Sequence, residues 1–239
     1  MKTKGILTVV TGATRGIGRE IVFAFAEEGN DVAFCARREA EVKKMTRELK
    51  SKFPKQKFLG IPADMSVKDD IRMFADEITG NWKQVNVLVN NAGIFDPGFM
   101  STEQEGSFEY MMQTNLFSAY HFTRMLLPHF SSKIKSHIIN ICSTASIRAY
   151  PSGGGYGVSK IALLGFSKNL REELKSQQIA VSAILPGATL TDSWSGSDYP
   201  KERFMTAKDV ADVVIMCYRL APRTVVEEVL MRPLKGDIA

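Results

Sequence analysis

The sequence predicts an α/β fold, a parallel doubly wound sheet of about seven strands with helices on both faces. Three observations carry this. Short apolar runs rich in β-branched residues alternate along the chain with longer stretches of helical periodicity, which is the pattern of strand–helix–strand crossovers. The first apolar run passes through a glycine-rich turn directly into a helix. Small and polar residues gather just after several of the apolar runs, at the carboxyl edge where such a sheet holds its ligands.

Taken in order, residues 5–10 form the first strand, and Thr11-Gly12-Ala13-Thr14-Arg15-Gly16-Ile17-Gly18 is the turn into a helix over 17–28. Its glycines permit a tight turn and close backbone approach, and the amides and dipole of the helix start suit a diphosphate. A second strand spans 31–36, a helix 39–52 and a third strand 57–61. The turn 63–66 leads into a helix reaching about residue 78, with Ser66 as its N-cap. Strand 86–89 ends in Asn90-Asn91-Ala92-Gly93, and a long helix over 106–130, bent near Pro128, carries Asn115. Residues 138–142 make a buried strand with Ser143 at its carboxyl end, and a helix follows from 156 to 177. A strand over 179–185 is capped by Pro186-Gly187, and an irregular stretch with Trp194, Tyr199 and Phe204 precedes a helix over 207–220 and a last strand over 224–231.

A chain of 239 residues can bury a substantial core, and a single domain over 1–239 is expected. Residues 1–5 lack the long apolar region of a signal peptide, and no stretch approaches a membrane span, so cytoplasmic residence is expected. Cys35, Cys142 and Cys217 are scattered in apolar segments, as buried reduced thiols would be, and no metal site is expected. The net charge of +5 is concentrated between Arg37 and Lys57. Without a nucleic-acid-reading motif, most of that stretch reads as a solvated helix face, with its first members free to meet a phosphate and the rest to attract an acidic partner.

The chemistry-bearing pattern is Ser143 followed by Tyr156-x-x-x-Lys160. Four-residue spacing puts Tyr156 and Lys160 on one helix face, where an ammonium group favours the phenolate and brings its proton into play. Ser143 can donate a hydrogen bond to the same substrate oxygen, so the group can protonate a carbonyl oxygen while hydride reaches its carbon. At the end of the second strand Ala36 stands where a carboxylate would repel an added phosphate, with Arg37, Arg38 and Arg15 nearby, which favours NADP(H). Asp64 reads either as a turn residue or as an adenine contact. Residues 187–206 suit a mobile substrate lid, or a surface loop with tucked aromatics, with Trp194 and Tyr199 as candidate substrate contacts. Glycines 153–155 would leave the pocket wall without large side chains. His121, His129 and His137 default to structural or surface roles.

Thr11-Gly12-x-x-x-Gly16-x-Gly18, Asn90-Asn91-Ala92-Gly93, Asn115, Ser143, Tyr156-x-x-x-Lys160 and Pro186-Gly187 together resemble the short-chain dehydrogenase/reductase superfamily, in its order and spacing. The resemblance implies a Rossmann-like fold and a catalytic tetrad of Asn115, Ser143, Tyr156 and Lys160. It implies cofactor contacts from Gly12, Thr14, Arg15, Gly16, Ile17, Gly18, Arg37, Arg38, Asp64, Asn91, Ala92, Gly93, Tyr156, Lys160, Pro186, Gly187, Thr189 and Thr191. Members usually form homodimers or homotetramers. The tail from Arg223 to Ile238 is similar to that of bacterial sepiapterin-reductase-like and general carbonyl reductases, implying a small carbonyl substrate. The core is also similar to 3-oxoacyl-carrier-protein reductases, which makes an acidic carrier protein the alternative partner. A catalytically silent NADP(H) sensor on the same scaffold is a third reading, against which the intact Ser143, Tyr156 and Lys160 count.

Overall fold

The computed structural model describes residues 5–131, 135–194 and 196–238; the expectation for residues 1–4 lies outside them. Seven parallel strands form one sheet: β1 (Leu7–Val10), β2 (Asp31–Ala36), β3 (Phe58–Pro62), β4 (Val87–Asn90), β5 (Ser136–Ile141), β6 (Ile179–Pro186) and β7 (Glu228–Met231), in the order β3-β2-β1-β4-β5-β6-β7. Thr8 pairs with Val32 on one side and Val87 on the other, so the winding reverses at β1. Seven α-helices accompany the strands among the described residues: α1 (Gly16–Glu27), α2 (Glu39–Lys52), α3 (Lys68–Asn81), α4 (Ser107–Met112), α5 (Ser118–Leu126), α6 (Gly154–Leu174) and α7 (Ala207–Arg219).

Alternation along the strands feeds two cores. Val10, Val89 and Ile139 pack with Ile21, Phe25, Val210 and Val214 on one face. Their neighbours Val9, Leu88 and Ile138 pack with Phe74, Phe122, Leu126 and Leu170 on the other. Phe74 and Phe122 stack at 5.1 Å and lock α3 to α5, an arrangement contributing about 0.5–1.5 kcal/mol beyond burial. A polar seam crosses the second core. Asn90 Nδ2 donates to Asn140 Oδ1 at 2.8 Å and to Thr123 Oγ1 at 3.0 Å, and Asn140 Nδ2 donates to Ser167 Oγ at 2.8 Å. The three cysteines are free and buried; burial pushes the Cys35 thiol up to about 12 and the Cys142 thiol up to about 11.

Several boundaries depart from expectation. The single long helix over 106–130 is divided by a π turn at Gln113–Phe117 and ends in a 3-10 turn at Leu127–His129 containing Pro128. Ser66 does not cap α3: its amide and hydroxyl both donate to Asp64 Oδ1, at 2.9 and 2.7 Å, and the helix starts beyond Val67. The Asp64 carboxylate captures the serine before the helix can use it. The last strand is confined to Glu228–Met231, because Thr224 turns back to bond Ala221 O.

Candidate active site

At the carboxyl edge of the sheet, the strand ends enclose a cleft of about 1570 Å³. One end of its floor is the glycine-rich turn. Asn91 Nδ2 donates to the carbonyls of Thr11 and Gly12, both at 2.9 Å, and Thr11 Oγ1 accepts from the amides of Asn91 and Ala92. The turn after β1 is thereby clamped to the end of β4. A Cβ on Gly18 would stand 2.3 Å from Gly12 O and 2.4 Å from Asn91 Nδ2, so only glycine lets the backbones approach this closely.

Arginines line that end. Arg37 Nη1 donates to Tyr110 Oη at 3.1 Å, Arg38 pairs with Glu41 at 2.7 Å, and Arg15 pairs with Asp192 at 2.6 Å. Thr14 Oγ1 donates to Glu41 Oε2 at 3.1 Å. Gly12, Thr14, Gly16, Ile17, Gly18, Asp64, Asn91, Ala92 and Gly93 share this wall, and Pro186, Gly187, Thr189 and Thr191 face it from β6 and the segment beyond.

Toward the middle, β5 delivers Ser143 and the first turns of α6 deliver Tyr156 and Lys160. Ser143 stands beside the Tyr156 phenol on the cleft wall, and its Oγ accepts from the Ala145 amide at 3.1 Å. Ser146 completes the arrangement by donating to Lys160 O at 2.8 Å, which ties the loop after β5 to α6. Enclosure of the phenol raises the Tyr156 pKa well above its ordinary value, and the neighbouring Ser143 pulls the other way. The Lys160 ammonium is 5.9 Å from the Tyr156 ring centroid and donates to Ile141 O at 3.0 Å, and burial lowers its own pKa. Burial thus outweighs the pull toward phenolate expected from the lysine, and Tyr156 stays protonated at neutral pH.

Asn115 lies behind the cleft wall. Its Nδ2 donates to Ser159 Oγ at 2.9 Å and to Ile94 O at 3.1 Å, and its Oδ1 accepts from Ile94 N at 2.8 Å. It sits within the π turn, where the extra residue projects its amide between the chain after β4 and α6. An added Cβ on Gly93 would be 3.1 Å from Asn115 Oδ1 and 3.4 Å from Lys160 Nζ, so the bare glycine brings these groups together.

The substrate end is aromatic. Phe95 meets Tyr156 edge-on at 4.8 Å and Trp194 at 5.7 Å, and Trp194 continues to Phe204 at 5.2 Å. Trp194 lines the cleft. Tyr199 does not reach its wall: beyond the turn at Gly196 it is 43% exposed, with its amide donating to Ser197 Oγ at 3.3 Å. Glycines 153–155 do not open the pocket either. A Cβ on Gly154 would lie 2.5 Å from Gly98 O, and one on Gly155 2.8 Å from Met111 and Phe108, so they admit close packing beneath the loop over 94–99. Sequence reasoning missed Phe95, Arg148, Tyr150 and Asp237, all on the cleft wall. Phe95, two residues after Gly93, was within reach of the motif; Asp237 carries no local signal.

Among the described residues, no helix is long and apolar enough to cross a membrane, and no cluster of three His, Cys, Asp or Glu could hold a metal.

Comparison with known proteins agrees with this geometry. The chain is 30% identical over 240 residues to a sepiapterin reductase of Chlorobaculum tepidum, covering 97% of this chain and 98% of that one. It is 30% identical over 221 residues to a 3-oxoacyl-[acyl-carrier-protein] reductase of Haemophilus influenzae, covering 88% and 89%. Among solved structures, a metagenomic short-chain oxidoreductase in complex with NADP superposes with a TM-score of 0.84 at 30% identity, covering 98% and 99%. Residues 7–200 match the short chain dehydrogenase family, and the chain belongs to it.

Proposed function

We propose that this oxidoreductase is an NADPH-dependent carbonyl reductase that reduces a ketone or aldehyde of a small, sepiapterin-like or general carbonyl substrate, with Tyr156 as the acid. The observation that carries the reading is the convergence of Ser143, Tyr156 and Lys160 on the same cleft as the glycine-rich turn and its arginines.

The residues present fit the cofactor. Gly12 and Gly18 leave a cradle that a Cβ would fill, and Ala36 presents no carboxylate to an added phosphate. Arg37, Arg38 and Arg15 would receive the 2′-phosphate, Asp64 the adenine, and Thr191 with Pro186 and Gly187 the nicotinamide end. Bound NADPH supplies the hydride. Tyr156, a phenol that is protonated at neutral pH, donates its proton to the substrate oxygen. Ser143 holds the same oxygen. Lys160, held between Ile141 O and the Gly93 backbone, orients the ribose and supports the tyrosine as its proton leaves, while Asn115 keeps α6 and the chain after β4 in register.

The chain acts as one domain in this reading, with 187–206 as its lid. Two backbone bonds close the stem of that segment, Leu190 N to Met205 O at 2.8 Å and Met205 N to Ala188 O at 3.0 Å; residue 195 of the lid lies outside the described residues. Exposed Phe117, Tyr120, Val158 and Ile161, near Asn115 and on the Tyr156 helix, support a homo-oligomer. The aromatic substrate end and the sepiapterin reductase relative favour a compact carbonyl compound. The basic stretch is partly neutralised by Arg38–Glu41, Lys43–Glu39 and Lys52–Glu27, which weakens its appeal to an acidic carrier.

The test is NADPH oxidation against a diketone, a sepiapterin-like pterin and an acetoacetyl thioester, for the wild type and Tyr156→Phe. Turnover of the pterin or diketone, lost by about 10²–10⁴-fold in the variant with NADPH binding retained, is the expected result. Preference for the thioester would transfer the assignment to acyl-carrier substrates, and turnover unaffected in Tyr156→Phe would remove Tyr156 from the chemistry.

A further inference from the structure

The carboxyl-terminal tail closes one side of the cleft, with Asp237 and Ile238 on its wall. A single carboxylate fastens it. Asp237 Oδ2 accepts from Arg148 Nη1 at 3.0 Å, and both its carboxylate oxygens accept from Arg232 Nε at 3.1 Å. Arg203 adds longer contacts of 3.3–3.5 Å to the carbonyls of Gly236 and Asp237. These arginines come from separate parts of the site: Arg148 from the loop between Ser143 and Tyr156, Arg203 from the 187–206 segment, and Arg232 from the residue after β7. The Asp237 side chain is only 25% exposed, and the tail packs closely on Gly187, where an added Cβ would stand 3.3 Å from Met231 O and Pro233 Cδ and 3.5 Å from Asp237 Oδ1.

Apolar burial does little to hold the end of this tail. Pro233 is buried, but Leu234 is fully exposed, Lys235 is exposed, and Gly236 turns the chain at φ +84°. What keeps residues 236–238 against the cleft is charge and directed hydrogen bonding, interactions that hold a position only while their geometry is kept.

We propose that Asp237 is a positioning residue for substrate selection: its carboxylate straps the tail to the catalytic loop, beside the contacts Arg203 makes from the lid to the tail's carbonyls, and the strap sets how large a substrate the open end of the cleft admits. This rests on the carbonyl-reductase reading. With the strap fastened, Ile238 and Asp237 keep their place on the cleft wall and a compact substrate is held against Tyr156. With it loosened, the tail swings about Gly236, small substrates lose a contact surface and larger ones gain room.

The test compares wild type, Asp237→Asn, Asp237→Glu and Arg148→Gln, the last changing a side chain that is 67% exposed and so sparing the fold. Amide hydrogen exchange reads the strap without any turnover. Asp237→Asn and Arg148→Gln are expected to speed exchange in the tail and also in 144–152 or 187–206. Kinetics read selection: KM for a small diketone rises about two- to fivefold, the effect of losing one partly exposed ion pair, with a smaller change in kcat, while preference moves toward a bulky aryl ketone, and Asp237→Glu restores much of the wild-type ratio. Unchanged exchange outside the tail, or an unchanged size preference in a folded variant, overturns the proposal. If wild type oxidises NADPH with none of the carbonyls, the carbonyl-reductase reading and the selection role fall together, while the exchange data still decide whether the strap exists.

Discussion

Arg15 and Asp192 stand 177 residues apart in the chain, and their side chains meet at 2.6 Å where the glycine-rich turn faces the foot of the 187–206 segment. Both are more than half exposed, so the pair contributes no more than about 1 kcal/mol. Arg15 is also a proposed ligand of the cofactor phosphate, and it has to leave Asp192 to serve. Asp192→Asn is therefore expected to tighten NADPH binding by up to about fivefold and leave NADH unchanged. Fluorescence titration with both nucleotides checks this; weaker NADPH binding, or an equal change for NADH, would mean that the two roles of Arg15 do not compete.

Arg37 sits beyond Ala36 at the end of β2, and its guanidinium rests on Tyr110 Oη at 3.1 Å. Arg37→Asp should weaken NADPH relative to NADH by roughly ten- to a hundredfold, the scale of one lost charged hydrogen bond plus repulsion. An unchanged ratio of kcat/KM for the two nucleotides would show that the phosphate is read elsewhere.

Two glycine substitutions should act in opposite directions. Gly18→Ala would press a methyl into Gly12 O and Asn91 Nδ2, costing about 1–3 kcal/mol and weakening NADPH binding with it. Gly165, inside α6, has open space where its Cβ would be, and Gly165→Ala should raise stability by roughly 0.5–1 kcal/mol. Thermal unfolding of both variants decides, and a Gly18→Ala protein as stable and as tightly binding as wild type would contradict the tight approach.

His137, on β5, is buried with Nε2 2.8 Å from Ser182 Oγ, and burial lowers its pKa to about 3. An unfolded histidine titrates near pH ~6.5, so the unfolded chain takes up the proton first. The neutral imidazole's contribution is complete above about pH 6.5 and is lost at about 1.4 kcal/mol per unit as pH falls toward 3. The slope of stability against pH between 6 and 4 should flatten in His137→Gln, whatever the variant's absolute stability. Parallel slopes for the two proteins would assign acid sensitivity to other groups.

The strands were legible because parallel strands covered on both faces must be apolar on both sides, as Val9 and Val10 or Leu88 and Val89 are. The pocket's glycine-rich turn was legible because its requirement is local: a Cβ on Gly18 would meet Gly12 O in the same turn at 2.3 Å. The rest depends on long-range partners. The π turn around Asn115 follows from its bonds to Ile94 and Ser159, and no local periodicity announces an i→i+5 turn. Ser66 has the chemistry of a cap and loses that role to Asp64 two residues away. Glycines 153–155 looked like room for a ligand, and only the positions of Gly98, Met111 and Phe108 show that the room is already taken. Arg148 and Asp237, 89 residues apart, have no signature until the tail is folded back.

The amides joining Asn90, Asn140 and Ser167 have a further consequence, for how the molecule is assembled. Apolar strands of similar length tolerate sliding past one another, because one valine replaces another with little loss. Asn90 and Asn140 do not. Displacing β5 by one residue against β4 would turn Asn140 toward the opposite apolar layer and leave buried amides without partners, at about 1–3 kcal/mol for each. The seam therefore acts as a proofreader: it adds little to the stability of the correct sheet and penalises misaligned ones, so the strand tips that carry Asn91 and Ser143 emerge at matching heights.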